Sequence, residues 1–170
     1  GVCAVDLAGA EALYPTQEYQ PLFAYAQSLG VPFTLHAGEA AGPESVWQAL
    51  ELGAARIGHG VRAGGDPRLV EELARRRVPL ELCPTSNLQT KAVPDLAHFP
   101  LKEYLAQGVA ATVNTDNMTV SRTTLAQEFA SLRLSPQERR AVLLHSAEAA
   151  FLPPAQKAAL RQAVEAALAH

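Results

Sequence analysis

Four short stretches of this 170-residue chain carry side chains able to do chemistry, and each follows an apolar run. His36-Ala37-Gly38-Glu39 comes directly after residues 31–35, so an imidazole and a carboxylate emerge together at a strand's C-terminal end. Gly58-His59-Gly60 ends the next run, a histidine between glycines where backbone can approach a ligand closely. Asn114-Thr115-Asp116-Asn117 ends the last run and adds a carboxylate and amides, while Asp6-Leu7-Ala8-Gly9 ends the first and offers a backbone N–H at Gly9. Taken singly, each has a plainer reading: a histidine satisfied in a loop beside a helix-capping glutamate, a turn, an Asx cap, a tight turn. Together they put polar groups on several strand ends at once. A histidine and an aspartate as ligands, with a second histidine and a glutamate able to move protons, suit metal-assisted hydrolysis.

The elements that must position these groups follow from periodicity. Residues 2–5, 32–35, 56–58, 79–82 and 109–113 read as strands, about 23 to 30 residues apart, the size of a strand, a helix and two short loops. Between them, residues 17–29 carry Leu22, Tyr25, Ala26 and Leu29 at helical spacing and stop at Gly30. Residues 43–50 carry Val46, Ala49 and Leu50 on one face, and residues 67–77 carry Leu69, Val70 and Leu73 behind an Asp66-Pro67 start signal. After residue 113 the pattern changes to helices over 123–132, 135–150 and 153–169 with no strand between. The second opens on Ser135-Pro136-Gln137-Glu138, and the third packs through Ala159, Leu160, Val164 and Leu168. The fold class is therefore α/β: about five parallel βα units over residues 1–120, then C-terminal helices over 121–170, in one domain. Periodicity fits either an open doubly wound sheet or the later part of a (βα)8 TIM barrel. Polar groups gathered at strand ends favour the barrel.

Composition narrows the function classes. The chain is 48% apolar and 18% charged with a formal net charge of -3, which argues against disorder and against a basic nucleic-acid groove. No apolar run approaches the roughly 18 residues of a spanning helix, so neither nucleic acid nor membrane is expected as a partner. Two cysteines are too few for a disulfide framework and lack thiolate-zinc spacing, pointing to a reducing cytoplasm. Cys83, with no basic neighbour, reads as buried structure. The only methionine is Met118, so Gly1 is not a conventional start and a preceding segment is expected. Arg75-Arg76-Arg77 ends a predicted helix and reads as a solvated face.

Taken in order, the His36-Ala37-Gly38-Glu39, Arg56-Ile57-Gly58-His59-Gly60, Cys83-Pro84-Thr85-Ser86-Asn87 and Asn114-Thr115-Asp116-Asn117 stretches resemble the adenosine deaminase family, and Asp6-Leu7-Ala8-Gly9 resembles that family's preceding strand end. The resemblance implies an amidohydrolase-type barrel, of which this chain is the C-terminal portion. It also implies zinc-dependent hydrolytic deamination of adenosine or deoxyadenosine to inosine or deoxyinosine, a step of purine salvage. By the same resemblance His36 and Asp116 are zinc ligands and His59 orients and helps deprotonate the water. Glu39 gives a proton to purine N1, and Gly9 donates its N–H to N3.

Two positions depart from the family pattern. The family's first strand supplies two further zinc ligands as H-x-H, and no H-x-H occurs here; His98, His145 and His170 read as incidental. Only His36 and Asp116 remain as ligands, so weak or absent zinc binding is expected of this chain alone. Asn117 stands where many relatives have an aspartate that contacts purine N7, and an amide can donate there without being protonated. Adenine, or another 6-aminopurine nucleoside such as aminodeoxyfutalosine, is the alternative substrate. From another class comes a catalytically inactive half-barrel interaction module. An open half-barrel with an apolar interior and bare sheet edges implies pairing with the missing N-terminal half or with a second copy of the chain.

Overall fold

The structure is a computed structural model and describes residues 2–169. Its frame is five parallel strands, β1 (Val5–Leu7), β2 (Phe33–Ala37), β3 (Arg56–His59), β4 (Leu80–Leu82) and β5 (Ala111–Val113), hydrogen-bonded in chain order. A doubly wound sheet reverses its strand order at a switch point, and this one never does. The sheet is an arc of a (βα)8 barrel, with helices α1 (Gln20–Ser28), α2 (Pro43–Glu51) and α3 (Pro67–Arg76) following β1, β2 and β3. Two short helices, α4 (Pro84–Gln89) and α5 (Leu101–Ala106), connect β4 to β5. Beyond β5 lie α6 (Met118–Ser121), α7 (Leu125–Ser131), α8 (Pro136–Ala149) and α9 (Pro154–Ala167).

Register divides the sheet into two faces. Partnered positions in a parallel ladder share a face, and positions two apart along a strand share it too. Asp6, Thr34 and Arg56 therefore line up with His36, Gly58, Glu81 and Thr112 on one side. The other side carries Phe33, Leu35, Ala37, Ile57, Leu80, Leu82, Ala111 and Val113, all buried. The expectation of an apolar interior is corrected: the concave face is polar, with Arg56 Nε 2.8 Å from Glu81 Oε1 and 3.1 Å from Thr34 Oγ1. The hydrophobic core lies between sheet and helices, where Val46, Ala49, Leu50, Leu69, Val70 and Leu73 sit as their spacing predicts.

Local rules explain the helix ends. The Asp66 carboxylate accepts the Arg68 N–H, and Pro67 occupies the first helical position of α3. Ser135 and Glu138 form a reciprocal capping box at α8. Three sequence expectations are corrected. β1 begins three residues later than expected, which puts Asp6 inside the strand and not beyond its end. On α1 the buried residues are Phe23 and Ala26, while Leu22, Tyr25 and Leu29 are exposed beside the free edge of β1. On α9 no residue is fully buried, although the helix packs along α8. No helix among the described residues is long and apolar enough to cross a membrane. Arg75 and Arg76 pair with Glu72, and Arg77 with Glu148, as a solvated face does.

Candidate active site

The C-terminal ends of β2 and β3 bring His36 and His59 together, with ring centroids 4.8 Å apart. His36 projects from the concave face, and its neighbour in register is Gly58. A Cβ at Gly58 would lie 2.9 Å from His36 Nδ1, so only glycine leaves room for the ring. His59 is in register with Ala37, and alternation alone would send its ring toward the helices. Its φ of 63° breaks the alternation and swings the imidazole back to His36 and Glu39. Gly60 follows with φ 71°.

Glu39 lies half-buried, its Oε2 3.5 Å from His59 Nε2. Its Oε1 accepts from Asn87 Nδ2 at 3.1 Å and from the Thr90 hydroxyl at 3.0 Å. Asn87 is fully buried, and its other amide hydrogen faces His59 Nδ1 at 2.9 Å while its Oδ1 accepts the Cys83 N–H. Both Asn87 amide hydrogens and its carbonyl oxygen are engaged. Asp116, at φ 56°, accepts the Ser86 hydroxyl on Oδ2 at 2.7 Å. Asp6, His36, His59, Glu81 and Asp116 share a cavity of about 320 Å³, and Gly9 shares a smaller one of about 70 Å³ with His36.

Electrostatics separates the two histidines. Burial would lower the His36 pKa, but the facing Asp6 carboxylate and the charges of Glu39 and Asp116 hold it above the ordinary value. His59 is held below its ordinary value, chiefly by burial. Cys83 is buried and its thiol is pushed far up, as expected of structural sulfur.

Metal binding can be tested against this donor set. His36 Nδ1 is buried without a hydrogen-bond partner, and the Asp6 carboxylate faces it at 3.6 Å, too long for a hydrogen bond. A carboxylate behind one ring nitrogen is the arrangement that aims the other nitrogen at a metal. His36 and Asp116 therefore fit part of a ligand set. Among the described residues no three His, Cys, Asp or Glu side chains are grouped to hold a metal ion.

The remaining expected residues sort differently. Asn117 turns its Oδ1 to the Thr119 and Val120 N–H groups as the cap of α6, and is not drawn into the Glu39–His59 network. His98 pairs with Asp95 in a turn, His145 holds the Ala111 carbonyl, and His170 lies outside the described residues. Glu11, Ser86, Asn87 and Glu128 were not visible as site residues in the sequence. Glu11 is buried, and its carboxylate accepts four consecutive N–H groups, from Gly38 to Ala41, together with the Ser45 hydroxyl. Burial would raise its pKa, but the Ser45 hydroxyl and those N–H groups hold it below the usual carboxylate value. Glu128, fully buried on α7, accepts the Thr85 N–H and so anchors the start of α4. For Glu11 the available signal was an acid within the apolar, glycine-containing stretch 7–13.

Fold and site together define part of a (βα)8 barrel with histidines and carboxylates gathered at its strand ends. The chain matches the family model described as adenosine deaminase over residues 1–167, and it belongs to the adenosine deaminase family. It is 56% identical to the adenosine deaminase of Haemophilus ducreyi over 164 residues, 94% of this chain and 48% of that relative. It is 45% identical to the enzyme of the same name from Klebsiella pneumoniae, covering 96% of this chain and 51% of the relative. The chain thus spans about half the length of the curated relatives it matches. Among solved structures, it is similar to adenine deaminase from Arthrobacter aurescens with TM-score 0.94 at 30% identity, covering 99% of this chain and 53% of that one. The N6-methyl-AMP deaminase of Arabidopsis thaliana matches with TM-score 0.83 at 30% identity, over 98% and 50% of the two chains.

Proposed function

We propose that this chain contributes His36, Glu39, His59 and Asp116 to a hydrolytic deaminase of adenosine and deoxyadenosine, working within a completed barrel. The observation that carries the reading is the buried network that ties Glu39 to His59 through Asn87, beside a His36 already backed by a carboxylate. Family membership supports the reaction class. The reading includes a reducing, cytoplasmic setting, supported by the two free thiols Cys3 and Cys83.

In this reading, His36 and Asp116 would hold a zinc ion together with further ligands, and the ion would supply a water acidified to about neutral pKa. Glu39 delivers a proton to purine N1, which draws electrons from C6 and prevents negative charge from accumulating on the ring. His59, whose Nδ1 accepts from Asn87, orients the attacking water with its Nε2–H. Asp116 accepts a hydrogen bond from that water, with its other oxygen fixed by Ser86. The Gly9 N–H holds N3. Water adds at C6 and gives one proton by way of the Asp116 carboxylate to the amino group, the C6–N bond breaks to release ammonia, and the remaining hydroxyl proton returns to Glu39 as C6=O forms, giving inosine. Asn117 lies at the rim, where its amide nitrogen is left for N7 once Oδ1 caps α6.

Free adenine is a second reading, favoured by the shape likeness to the Arthrobacter adenine deaminase. Ammonia release from adenosine, deoxyadenosine, adenine and other 6-aminopurine nucleosides, measured on the intact protein that carries these residues, decides between them. Highest kcat/KM on adenosine supports the first reading; a strong preference for adenine replaces it with the second. No release from any of them leaves the half-barrel as an interaction module.

A further inference from the structure

We propose that Glu11 is a positioning residue that fixes the distance between the Gly9 N–H and the Glu39 carboxyl, and so aligns two groups against opposite ends of one purine ring. The inference rests on the functional reading above and deepens it. Its basis is geometric. Glu11 Oε1 accepts the Gly38 N–H at 2.7 Å and the Ser45 hydroxyl at 2.6 Å. Oε2 accepts the N–H groups of Glu39, Ala40 and Ala41 at 3.1, 2.7 and 3.1 Å. The backbone N–H of Glu11 in turn donates to the Gly9 carbonyl at 2.9 Å.

Successive N–H groups turned to one point form a concavity that binds an anion. Here the concavity after β2 is filled by the chain's own carboxylate, delivered from the loop after β1. One residue thereby joins two loops whose sequence positions differ by 28, the separation of Glu11 and Glu39. Gly38 makes the turn possible with φ 71°, and at Gly9 nothing lies within 4 Å of where a Cβ would stand, so that stretch of backbone faces open space. The Glu39 side chain is held at its far end by Asn87 and Thr90; at its near end Glu11 holds the Glu39 N–H itself, while Ser45 and Arg62 hold the flanking Gly38 and Ala40. A merely structural clamp would stabilise both loops. An aligning clamp also sets where the Glu39 carboxyl meets the ring.

The test compares two ligands that differ at one atom: purine ribonucleoside and its 1-deaza analogue, which has C–H in place of N1. Inhibition constants for both are measured in the intact protein, in the parent and in Glu11→Gln and Glu11→Asp variants. The Gln side chain keeps size but turns an amide donor toward N–H groups, and the Asp side chain keeps charge but cannot reach all five donors. The parent should favour the N1-bearing ligand, and each variant should cut that preference by about 10-fold, equivalent to about 1.4 kcal/mol. Turnover of adenosine should fall by at least as much. Equal weakening of both ligands, or an unchanged ratio, overturns the proposal and leaves Glu11 a fold element. If Glu11→Gln does not fold, Glu11→Asp supplies the same ratio; failure of both to fold also overturns it. Failure of the underlying reading would look different, because the parent itself would neither deaminate adenosine nor discriminate at N1.

Discussion

Asn87 Nδ2 stands 2.9 Å from His59 Nδ1, and this contact decides which ring nitrogen carries the proton. Asn87 Oδ1 is committed to the buried Cys83 N–H, so the group facing the imidazole is the NH₂ donor. His59 Nδ1 must then accept. In the neutral ring the proton sits on Nε2, on the side of Glu39 Oε2. An Asn87→Asp substitution replaces that donor by an acceptor and sets a second carboxylate against Glu39. Turnover should fall about 10- to 100-fold, and ¹⁵N shifts of the His59 ring should show its proton moved to Nδ1. An unchanged ring spectrum would refute the tautomer assignment.

Glu39→Gln keeps the side chain's volume and its acceptor toward Asn87 and Thr90, but removes the transferable proton. A loss in kcat of about 10²- to 10⁴-fold is expected, with KM changed by far less. Comparable losses in both constants would assign Glu39 to binding and not to proton transfer.

Gly58→Ala acts on His36 through space. The added methyl would meet His36 Nδ1 at 2.9 Å and His36 Cα at 3.3 Å, and the strand backbone cannot give way without disturbing the β2–β3 ladder. Overpacking of this kind costs about 1–3 kcal/mol. Denaturant unfolding should show that loss, and metal analysis of the intact protein should show lower zinc content. A variant that kept parental stability and zinc would refute the crowding argument.

His145, far from the site, yields a prediction on pH. Its pKa is lowered, mainly by burial and also by nearby Arg77, against the opposing bond to the Ala111 carbonyl and the charge of Glu148. The unfolded chain therefore takes up this proton at higher pH than the folded chain does. Below the unfolded value near 6.5, acid favours unfolding, and stability declines until the depressed folded pKa is passed. His145→Gln should flatten that part of the stability curve in urea titrations taken above and below pH 6.5. A curve that keeps its parental slope would exclude His145 as the cause.

Isolating the 170 residues tests the ligand arithmetic. With His36 and Asp116 alone, the chain has fewer than the three protein ligands of an ordinary catalytic zinc site. Zinc should be lost on dialysis from the isolated chain and retained by the intact protein. Stoichiometric zinc in the isolated chain would point to a third ligand of its own.

Much of the frame was legible because local chemistry specified it: the Asp66-Pro67 start, the Ser135–Glu138 box and the apolar faces of α2 and α3. His36 and His59 were legible as strand-end polar groups. Their convergence depended on register and on the left-handed turn at His59, which sequence does not announce. Leu22, Tyr25 and Leu29 misled because apolar spacing marks a face without saying what covers it. Glu11, Asn87 and Glu128 were hidden for another reason. Apart from Cys83 beside Asn87, their partners lie 27 to 48 residues away, and most are backbone N–H groups, which every residue but proline possesses.

His59 and Asp116 hold φ of 63° and 56°, a region where a side chain costs energy that glycine avoids. Both groups assigned to chemistry thus hold backbone strain, which at His59 is offset by its burial and its contact with Asn87. Selection for heat resistance alone would accept glycine at the exposed Asp116, where little packing is lost, and yield a sturdier, inert barrel. Stabilising this protein by unguided screening therefore carries a specific hazard, and a screen that also scores turnover is the remedy.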